Sequence, residues 1–150
     1  MFNNILVVCL GNICRSPVAE AMLRQRLPNK KISSAGIQAM SDHGADSNAA
    51  ELAHSDGLDL SSHKARQLTN EMIQQADLIL VMTQGQRVAI AEKNPAATGK
   101  VMLFGQWLTG QGEQQQGQDI PDPYRKSREA FESVHKLLAQ AANAWQQRLQ

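Results

Sequence analysis

The chain has 150 residues, of which 42% are hydrophobic, and its formal net charge is +1. This length can bury a core but is too short for two ordinary domains, so we expect residues 1–150 to form one domain. The small charge, without a basic stripe, argues against a nucleic-acid partner, and the N-terminus has neither the basic region nor the apolar length of a signal peptide or membrane span. We expect a cytoplasmic monomer that does not insert into a membrane.

The N-terminal quarter of the chain predicts a strand, a helix and a second strand. The apolar run over residues 5–8 is short and partly β-branched, as expected of a buried strand. Apolar residues at helical spacing follow Pro17, and Ser16 and Pro17 match an N-cap and a first-turn residue. Residues 31–35 predict the second strand. The segment before Pro17 therefore connects a strand to a helix N-terminus.

The middle of the chain predicts two helices and one strongly apolar strand. Asp46 or Ser47 can cap a helix that stops at Gly57, and Thr69 can cap a second helix that ends near Ala76. The apolar run that follows, over residues 78–82, predicts a buried strand.

The last third of the chain predicts a helix over residues 84–93, a fourth strand over residues 101–104 and one long C-terminal helix. Between them, residues 105–117 are rich in Gly and Gln and predict an exposed loop. The apolar stripe of the long helix consists of Phe131, Val134, Leu138, Ala141, Trp145 and Leu149. We expect Trp145 to be a packing residue of this stripe.

Strands that alternate with helices predict a parallel sheet with right-handed crossovers and helices on both faces. We therefore expect an α/β fold, a single three-layer domain with a four-stranded parallel sheet. Ligands of such sheets bind beyond the carboxyl ends of the strands, at the topological switch point. This rule places a candidate site directly after the first strand.

The segment after the first strand combines a thiol, a guanidinium and a helix N-terminus. Cys9 opens it, Gly11 lies inside it, and Arg15 and Ser16 close it. The first N–H groups of a helix lack intrahelical partners and carry the positive end of the helix dipole, so they attract an anion. Arg15 adds a planar fork that matches phosphate oxygens. We call residues 9–16 the phosphate loop.

Two interpretations of Cys9 compete. A cysteine that continues an apolar strand is more often a core residue than a nucleophile. A thiol beside a helix N-terminus and an arginine is typically ionised at neutral pH, however, and the thiolate is the nucleophilic form. Ionisation supplies only a small part of the acceleration that phosphate ester hydrolysis needs, so Arg15 and the loop amides would supply most of it. The presence of Arg15 and Gly11 favours the nucleophile.

A candidate proton donor lies far downstream of the phosphate loop. Asp122 stands between Pro121 and Pro123, which restrict the backbone on both sides. This composition more often makes an ordinary turn. With Cys9 and Arg15 present, a positioned general acid is the better interpretation. Because a free Asp is deprotonated at neutral pH, we expect an acidic activity optimum unless the bound phosphate keeps Asp122 protonated.

The chain resembles the low-molecular-weight protein tyrosine phosphatases over nearly its whole length. The resemblance rests on the phosphate loop with Pro17 and on four further segments. These are residues 34–36 (Ser-Ala-Gly), 63–68 (His-Lys-Ala-Arg-Gln-Leu), 77–82 (Asp-Leu-Ile-Leu-Val-Met) and 122–124 (Asp-Pro-Tyr). The resemblance implies hydrolysis of phosphotyrosine in proteins through a phosphocysteine intermediate, without a metal or another cofactor.

The resemblance also implies a role for individual residues. Cys9 would be the nucleophile, Arg15 a phosphate ligand, and Asp122 the general acid and then the general base. Tyr124 would line the substrate slot, and Ser16 would hydrogen-bond the thiolate. The phosphate-binding residues would be Leu10, Gly11, Asn12, Ile13, Cys14, Arg15 and Ser16. The supporting network would consist of Asn12, Ser16, Ser34 and His63.

Bacterial members of this family are often paired with an autophosphorylating tyrosine kinase that controls capsule or exopolysaccharide export. Residues 1–9 and 122–132 are most similar to that branch. The resemblance thus implies a tyrosine-phosphorylated partner, a membrane-anchored bacterial tyrosine kinase. Thr83, where family members usually carry an acid, and residues 43–46, which lack a proline often found there, are departures from the family pattern. They concern the substrate rim or a helix start more than the reaction.

Cys14 has two interpretations. It is either a small apolar filler beneath the loop or a resolving thiol that forms a disulfide with oxidised Cys9, as a cysteine at this position can in the family. Two cysteines cannot build a zinc site, and a structural disulfide is not expected in the cytoplasm. His63 has only the structural role that the resemblance implies. The other histidines show no metal-ligand spacing or nearby acid pattern, so we expect ordinary surface or turn positions for them.

Four other functions fit parts of the same pattern. An arsenate reductase can share the fold and loop but needs later cysteines, and none follows Cys14. A phosphocarrier needs neither Arg15 nor Asp122, and a phosphotyrosine-binding module would lose the nucleophile or the acid. A nucleotide-binding P-loop needs a Gly-x-x-x-x-Gly-Lys-Ser/Thr motif, which the sequence lacks. The pattern favours the phosphatase, and the physiological substrate stays open.

Overall fold

A four-stranded parallel sheet forms the centre of the molecule. The computed structural model describes residues 2–108 and 117–150. Its strands are β1 (Asn4–Cys9), β2 (Lys31–Gly36), β3 (Leu78–Val81) and β4 (Val101–Leu103). They lie in the order β2-β1-β3-β4 and pair in parallel, with Val7 opposite Ser34 of β2 and Leu80 of β3. The predicted sheet is confirmed, although β3 and β4 each end one residue earlier than expected.

Helices connect the strands and cover the sheet. Within the described residues they are α1 (Arg15–Arg26), α2 (Ser47–Ser55), α3 (Asn70–Gln75), α4 (Gln84–Lys93), the 3₁₀ helix Pro95–Lys100 and α5 (Arg128–Leu149). None of the helices described is long and apolar enough to cross a membrane.

β1 is buried on both faces because it lies in the interior of the sheet. Ile5, Val7 and Cys9 belong to the core formed with α1, α2 and α5, whereas Leu6 and Val8 belong to the core formed with α3 and α4. This alternation follows from the two-residue period of a strand. The predicted three-layer arrangement, with helices on both faces, is therefore confirmed.

Two helices begin and end where their capping residues predict. The carboxylate of Asp46 caps α2, and the hydroxyl of Thr69 caps α3. After α2, Gly57 adopts a left-handed φ of 78°, and the N–H of Leu58 bonds to the carbonyl of Ala53 at 2.9 Å. This Schellman-type ending explains why the helix stops at a glycine.

α1 begins differently from the prediction. The helix starts at Arg15, its cap position is Cys14, and no side chain caps it. Ser16 lies inside the first turn, where its Oγ is 2.9 Å from Sγ of Cys9. The N-cap prediction for Ser16 is wrong because the hydroxyl bonds to the thiol instead of the helix end.

Trp145 packs α5 against the sheet, as predicted. Its Nε1 donates to the carbonyl of Phe104 at 2.8 Å, and its ring meets that of Trp107 edge to face at 5.5 Å between centroids. Residues 109–116, which belong to the predicted exposed loop, lie outside the described residues.

Candidate active site

The phosphate loop lies at the carboxyl end of β1, between neighbours β2 and β3 on opposite sides. This is the switch point at which α/β sheets bind ligands. The segment after β2 supports the loop, since the N–H of Met40 donates to the carbonyl of Gly11 at 3.0 Å. Gly36 permits this close approach, because a Cβ at that position would lie 2.7 Å from the carbonyl oxygen of Leu10.

Asn12 organises the interior of the loop. Its φ is 60°, a left-handed value that Asn adopts more readily than most residues. Its Oδ1 accepts from the backbone N–H of Arg66 at 3.0 Å, and because that group can only donate, the bond fixes the orientation of the amide. The amide nitrogen therefore donates to Oγ of Ser16 at 2.7 Å and to Oγ of Ser34 at 2.9 Å. His63 Nε2 lies 2.7 Å from the Asn12 carbonyl oxygen.

The orientation of Asn12 determines the direction of the hydrogen bond at the sulfur. Ser16 Oγ accepts from Asn12, so its single hydrogen is available to Sγ of Cys9 at 2.9 Å. The backbone N–H of Asn12 also donates to this sulfur, at 3.3 Å. The Cys9 sulfur is therefore the acceptor of both hydrogen bonds.

Ser34 extends this chain of hydrogen bonds to the first helix. Because Ser34 accepts from Asn12, its own hydrogen goes to Oε1 of Glu20. Glu20 is in turn paired with Arg24, with 2.8 Å between Oε2 and Nη2. Sequence reasoning missed Glu20 as a member of the network, because a contact between α1 and β2 leaves no local signal in the sequence.

Arg15 is a buried cation that is only partly compensated. Its side chain is 3% exposed. Nη1 donates to the carbonyl of Ile120 at 2.8 Å, and Nη2 lies 3.7 Å from Oδ2 of Asp122. Nε is buried and has no hydrogen-bond partner among the residues described. Since a buried guanidinium is costly unless its donors are matched, this arrangement is suited to an anion with several oxygens.

A cavity of about 110 Å³ opens over the loop. Its lining residues are Cys9, Leu10, Gly11, Ile13, Cys14, Arg15, Gln38, Met40, Asp122 and Tyr124. The candidate nucleophile, cation and acid thus share one cavity with apolar and aromatic walls. A wider groove of about 680 Å³ behind the Asn12 network is lined by neither Cys9 nor Asp122.

Backbone anchors position Asp122. The N–H of the fully buried Ile120 donates to the carbonyl of Met82 at 2.8 Å, and the Ile120 carbonyl accepts from Arg15. The N–H of Tyr124 donates to Oδ1 of Asp122 at 3.0 Å. Together these bonds leave Oδ2 of Asp122 on the side of Arg15. Sequence reasoning also missed Ile120, since one apolar residue before a proline has no recognisable signature. We call residues 119–125 the acid loop.

Thr83 begins α4 and does not line the cavity. Its Oγ1 accepts from the N–H of Gln86 at 3.1 Å, while Oε1 of Gln86 accepts from the N–H groups of Thr83 at 3.3 Å and Met82 at 2.9 Å. This capping box stabilises the helix start next to the acid loop. We expected Thr83 either at the substrate rim or at a helix start, and the structure places it at a helix start.

Cys14 is a buried free thiol within the phosphate loop and lines the cavity. Burial raises the pKa of Cys14 well above its usual range, and the nearby carboxylates of Asp46 and Asp122 raise it further. Cys14 therefore stays protonated at neutral pH. Both interpretations of this residue, packing and redox, are compatible with that state.

One histidine differs from expectation. His135 of α5 lies 2.5 Å from Oδ2 of Asp56, just beyond the end of α2. We expected an ordinary surface or turn position, because the sequence shows no acid pattern near this residue. Instead, its side chain is 13% exposed and pairs with an acid from another part of the chain. The two residues are distant in sequence and are brought together by the packing of α2 on α5.

Comparisons with known proteins agree with this geometry. The family model described as low molecular weight phosphotyrosine protein phosphatase matches residues 4–150. A putative low molecular weight protein-tyrosine-phosphatase of Klebsiella pneumoniae is 50% identical over 149 residues, 99% of each chain. The tyrosine phosphatase Wzb of Escherichia coli K30, solved in complex with sulphate, superposes with a TM-score of 0.93 at 47% identity, covering 100% of both chains.

A more distant structure is that of a phosphatase with a different substrate. The YwlE arginine phosphatase from Geobacillus stearothermophilus has a TM-score of 0.87 at 32% identity, covering 97% of this chain and 91% of its own. The family model and the relative from Klebsiella pneumoniae are both described as tyrosine phosphatases. The chain belongs to the low molecular weight protein-tyrosine phosphatase family, and the predicted family is confirmed.

Proposed function

We propose that this protein hydrolyses phosphotyrosine in proteins in two steps, with Cys9 as nucleophile, Arg15 as phosphate ligand and Asp122 as general acid and base. The proposal rests chiefly on one observation. Cys9 Sγ accepts hydrogen bonds from Ser16 and from the Asn12 backbone, and it shares a small cavity with the buried Arg15 and with Asp122.

In the first step, the Cys9 thiolate attacks phosphorus as the bond from phosphorus to the tyrosine oxygen breaks. Asp122 gives its proton to the departing oxygen, so that a neutral phenol leaves. Arg15 and the loop amides bind the three equatorial oxygens, where charge is stabilised in the transition state. The product is a phosphocysteine.

In the second step, Asp122 is a carboxylate and takes a proton from water. The water oxygen attacks phosphorus, the bond between phosphorus and sulfur breaks, and Cys9 returns to the thiolate while phosphate departs. Every proton in this cycle is carried by Asp122, so no metal or other cofactor is required. The Ser16 hydrogen bond stabilises the sulfur as a leaving group.

The apolar and aromatic walls support an aryl phosphate as substrate. Leu10 is 42% exposed at the rim, and Met40 and Tyr124 are half-buried beside the loop. A flat phenyl ring can pack between such side chains. The side chain of phosphoserine is much shorter, so the backbone of a phosphoserine peptide would have to enter the narrow cavity.

We further propose that the enzyme is cytoplasmic and that its partner is a membrane-anchored, autophosphorylating bacterial tyrosine kinase that controls exopolysaccharide production. The similarity of residues 1–9 and 122–132 to that branch of the family supports this choice of partner.

Turnover of p-nitrophenyl phosphate in the presence of EDTA tests the reaction directly. We expect activity in the wild-type protein and none above background in Cys9→Ser. Phosphopeptides of one sequence carrying phosphotyrosine, phosphoserine or phosphoarginine then test the substrate class, with phosphotyrosine expected to give the highest kcat/KM. Preferred hydrolysis of phosphoarginine would contradict the proposal. Loss of the wild-type activity in the presence of EDTA would also contradict it.

Substrate trapping tests the partner separately. Cys9→Ser and Asp122→Ala proteins should retain phosphorylated substrate from a lysate of the source organism, and wild-type protein incubated with vanadate serves as the control. We expect a tyrosine-phosphorylated kinase among the retained proteins. Recovery of other phosphotyrosine proteins alone would reject the kinase but leave the phosphatase reaction intact.

A further inference from the structure

We propose that Arg125 is a specificity-determining residue that binds an acidic side chain within one or two residues of the phosphotyrosine. The enzyme would thus prefer phosphotyrosine with an acidic flank. This inference rests on the proposed function, since it names a property of the substrate at the same site.

Arg125 is an exposed residue next to the residues that line the cavity. It follows Tyr124, which lines the cavity together with Cys9 and Asp122. The guanidinium carbon of Arg125 lies 5.3 Å from the centre of the Tyr124 ring, within the range of a cation–π contact. The aromatic residue that would contact the tyrosine ring is therefore itself in contact with a cation.

The backbone of Arg125 is in an unfavourable conformation for its residue type. Its φ is 60°, and the N–H of Lys126 donates to the carbonyl of Pro123 at 2.9 Å, which closes a turn around Tyr124 and Arg125. Glycine or asparagine is usual where a turn requires a positive φ. Non-glycine residues in such conformations are concentrated at binding and catalytic sites, where the side chain is needed.

The charge of Arg125 is not matched by a carboxylate in the described part of the chain. The nearby Arg128 provides a contrast, because its Nη1 lies 2.5 Å from Glu51 and its Nε 3.8 Å from Glu132. No ion pair within 4.0 Å joins Arg125 or Lys126 to an acid among residues 2–108 and 117–150. The charge of Arg128 is thus matched by carboxylates of the same chain, whereas the charge of Arg125 is available to a ligand.

The residues that line the cavity itself differ from Arg125 in character. Leu10 and Met40 are apolar and Gln38 is neutral, and Asp122 is the single acid among the lining residues of the cavity. Apart from Arg15, which would bind the phosphate, no cation is among these lining residues, so an acidic group flanking the phosphotyrosine would meet a favourable charge at Arg125. The asymmetry predicts a preference that depends on the position of the acid relative to the phosphotyrosine.

Matched peptides test the proposal. Each peptide contains one phosphotyrosine. The two peptides of a pair differ at a single position, which is glutamate in one and glutamine in the other. The pairs cover the first and second positions before and after the phosphotyrosine. For at least one position, we expect wild-type kcat/KM to be about two- to fivefold higher with glutamate, the range of a partly exposed ion pair. The preference should decrease as salt rises, because exposed charges are screened.

Variants connect the preference to the residue. In Arg125→Gln the ratio of the two peptides should fall to about one, and in Arg125→Glu it should invert, because like charges then meet. Lys93→Glu is the matched control, since it makes the same change of charge in the last turn of α4. Its ratio should equal that of the wild type. Each ratio is taken within one variant, so any effect on folding or on the chemical step cancels.

Three results would overturn the proposal: no glutamate preference in the wild type, an unchanged ratio in both Arg125 variants, or an equal change in Lys93→Glu. Turnover of p-nitrophenyl phosphate, which has no flanking residues, separates this failure from failure of the proposed function. If the wild-type protein hydrolyses p-nitrophenyl phosphate but shows the same kcat/KM for the glutamate and glutamine peptides, it is a phosphatase without the specificity proposed here.

Discussion

The phosphate loop and the acid loop contribute to one cavity but are held in different ways. In the phosphate loop, Cys9 is 2% exposed and Asn12 and Ser16 are fully buried, and hydrogen bonds tie their side chains to one another and to β2. In the acid loop, Asp122 is 39% exposed and is held mainly through the backbone of Ile120. The catalytic groups of the phosphate loop are therefore part of the core, whereas the carboxylate of the acid loop is partly exposed to solvent.

This difference agrees with what the proposed mechanism requires of each half. The phosphate loop must present fixed donors to the phosphoryl group, since electrostatic stabilisation is strongest when the donors need no rearrangement. The acid loop must exchange protons with water and release a phenol, which requires access to solvent. Arg15 joins the halves, because it belongs to the phosphate loop and bonds to Ile120. Changes in the buried half should therefore affect all substrates, whereas changes in the acid loop should depend on the leaving group.

The largest effect is expected from Arg15→Lys. Lysine keeps the charge but cannot bond to the Ile120 carbonyl and two phosphate oxygens at once. We predict that kcat for p-nitrophenyl phosphate falls by about 10³-fold or more, the lower end of what arginine contributes to phosphoryl transfer. Steady-state kinetics on protein of wild-type circular dichroism would measure it. A loss below about tenfold would mean that charge alone is sufficient.

Asp122→Asn should have the next largest effect and should separate the two halves of the site. With phenyl phosphate we expect kcat/KM, which does not include the later hydrolysis of the phosphocysteine, to fall by about 10²- to 10³-fold, within the range of general acid catalysis. The loss should be smaller with p-nitrophenyl phosphate, because p-nitrophenolate leaves without a proton. The ratio of the two rates is the diagnostic quantity. Equal losses for both substrates would remove Asp122 from the role of proton donor.

Gly36→Ala tests how tightly the buried half is packed. The added Cβ would lie 2.7 Å from the Leu10 carbonyl, so we expect the free energy of unfolding to fall by about 1–3 kcal/mol, together with a lower kcat. Gly99→Ala is the control, because its Cβ would meet nothing within 4 Å, and it should change stability by no more than about 0.5 kcal/mol. Denaturant unfolding of both variants provides the comparison. Equal stabilities would show that the loop can move away from β2.

Cys14 should give the smallest effect, because its raised pKa leaves almost no thiolate at neutral pH. A raised thiol pKa means more of the unreactive protonated form at any pH below it. We therefore predict that iodoacetate at pH 7 modifies Cys9 and spares Cys14, and that phosphate protects Cys9. Peptide mapping by mass spectrometry reads out both sites, with unfolded protein as the control in which both react. Modification of both cysteines at similar rates in the folded protein would contradict this.

Features that lie within one continuous segment could be predicted from the sequence. The strands, most helix ends and the phosphate loop depend on local patterns such as the apolar run before Cys9 or the caps Asp46 and Thr69. The family resemblance supplied Ser34 and His63, which local patterns could not. Both of these residues do contact Asn12 in the structure.

Features that depend on contacts between distant segments could not be predicted. The bond from Ser34 to Glu20 and the bond from Arg15 to Ile120 exist only after β2 and the acid loop reach the first helix. Ser16 was misassigned for the same reason. Its local context matches a helix cap, but in the folded protein its hydroxyl bonds to the nearby sulfur and to the Asn12 amide.

Trapping the covalent intermediate tests the role of the Cys9 sulfur most directly. Asp122→Ala protein should accept the phosphoryl group from p-nitrophenyl phosphate, whose leaving group needs no proton, and then release it slowly for want of a general base. After rapid denaturation in alkaline buffer, peptide mass spectrometry should find close to one phosphoryl group per protein, on Cys9. A protein that turns over this substrate while Cys9 carries no phosphoryl group, or while another residue carries it, would contradict the mechanism.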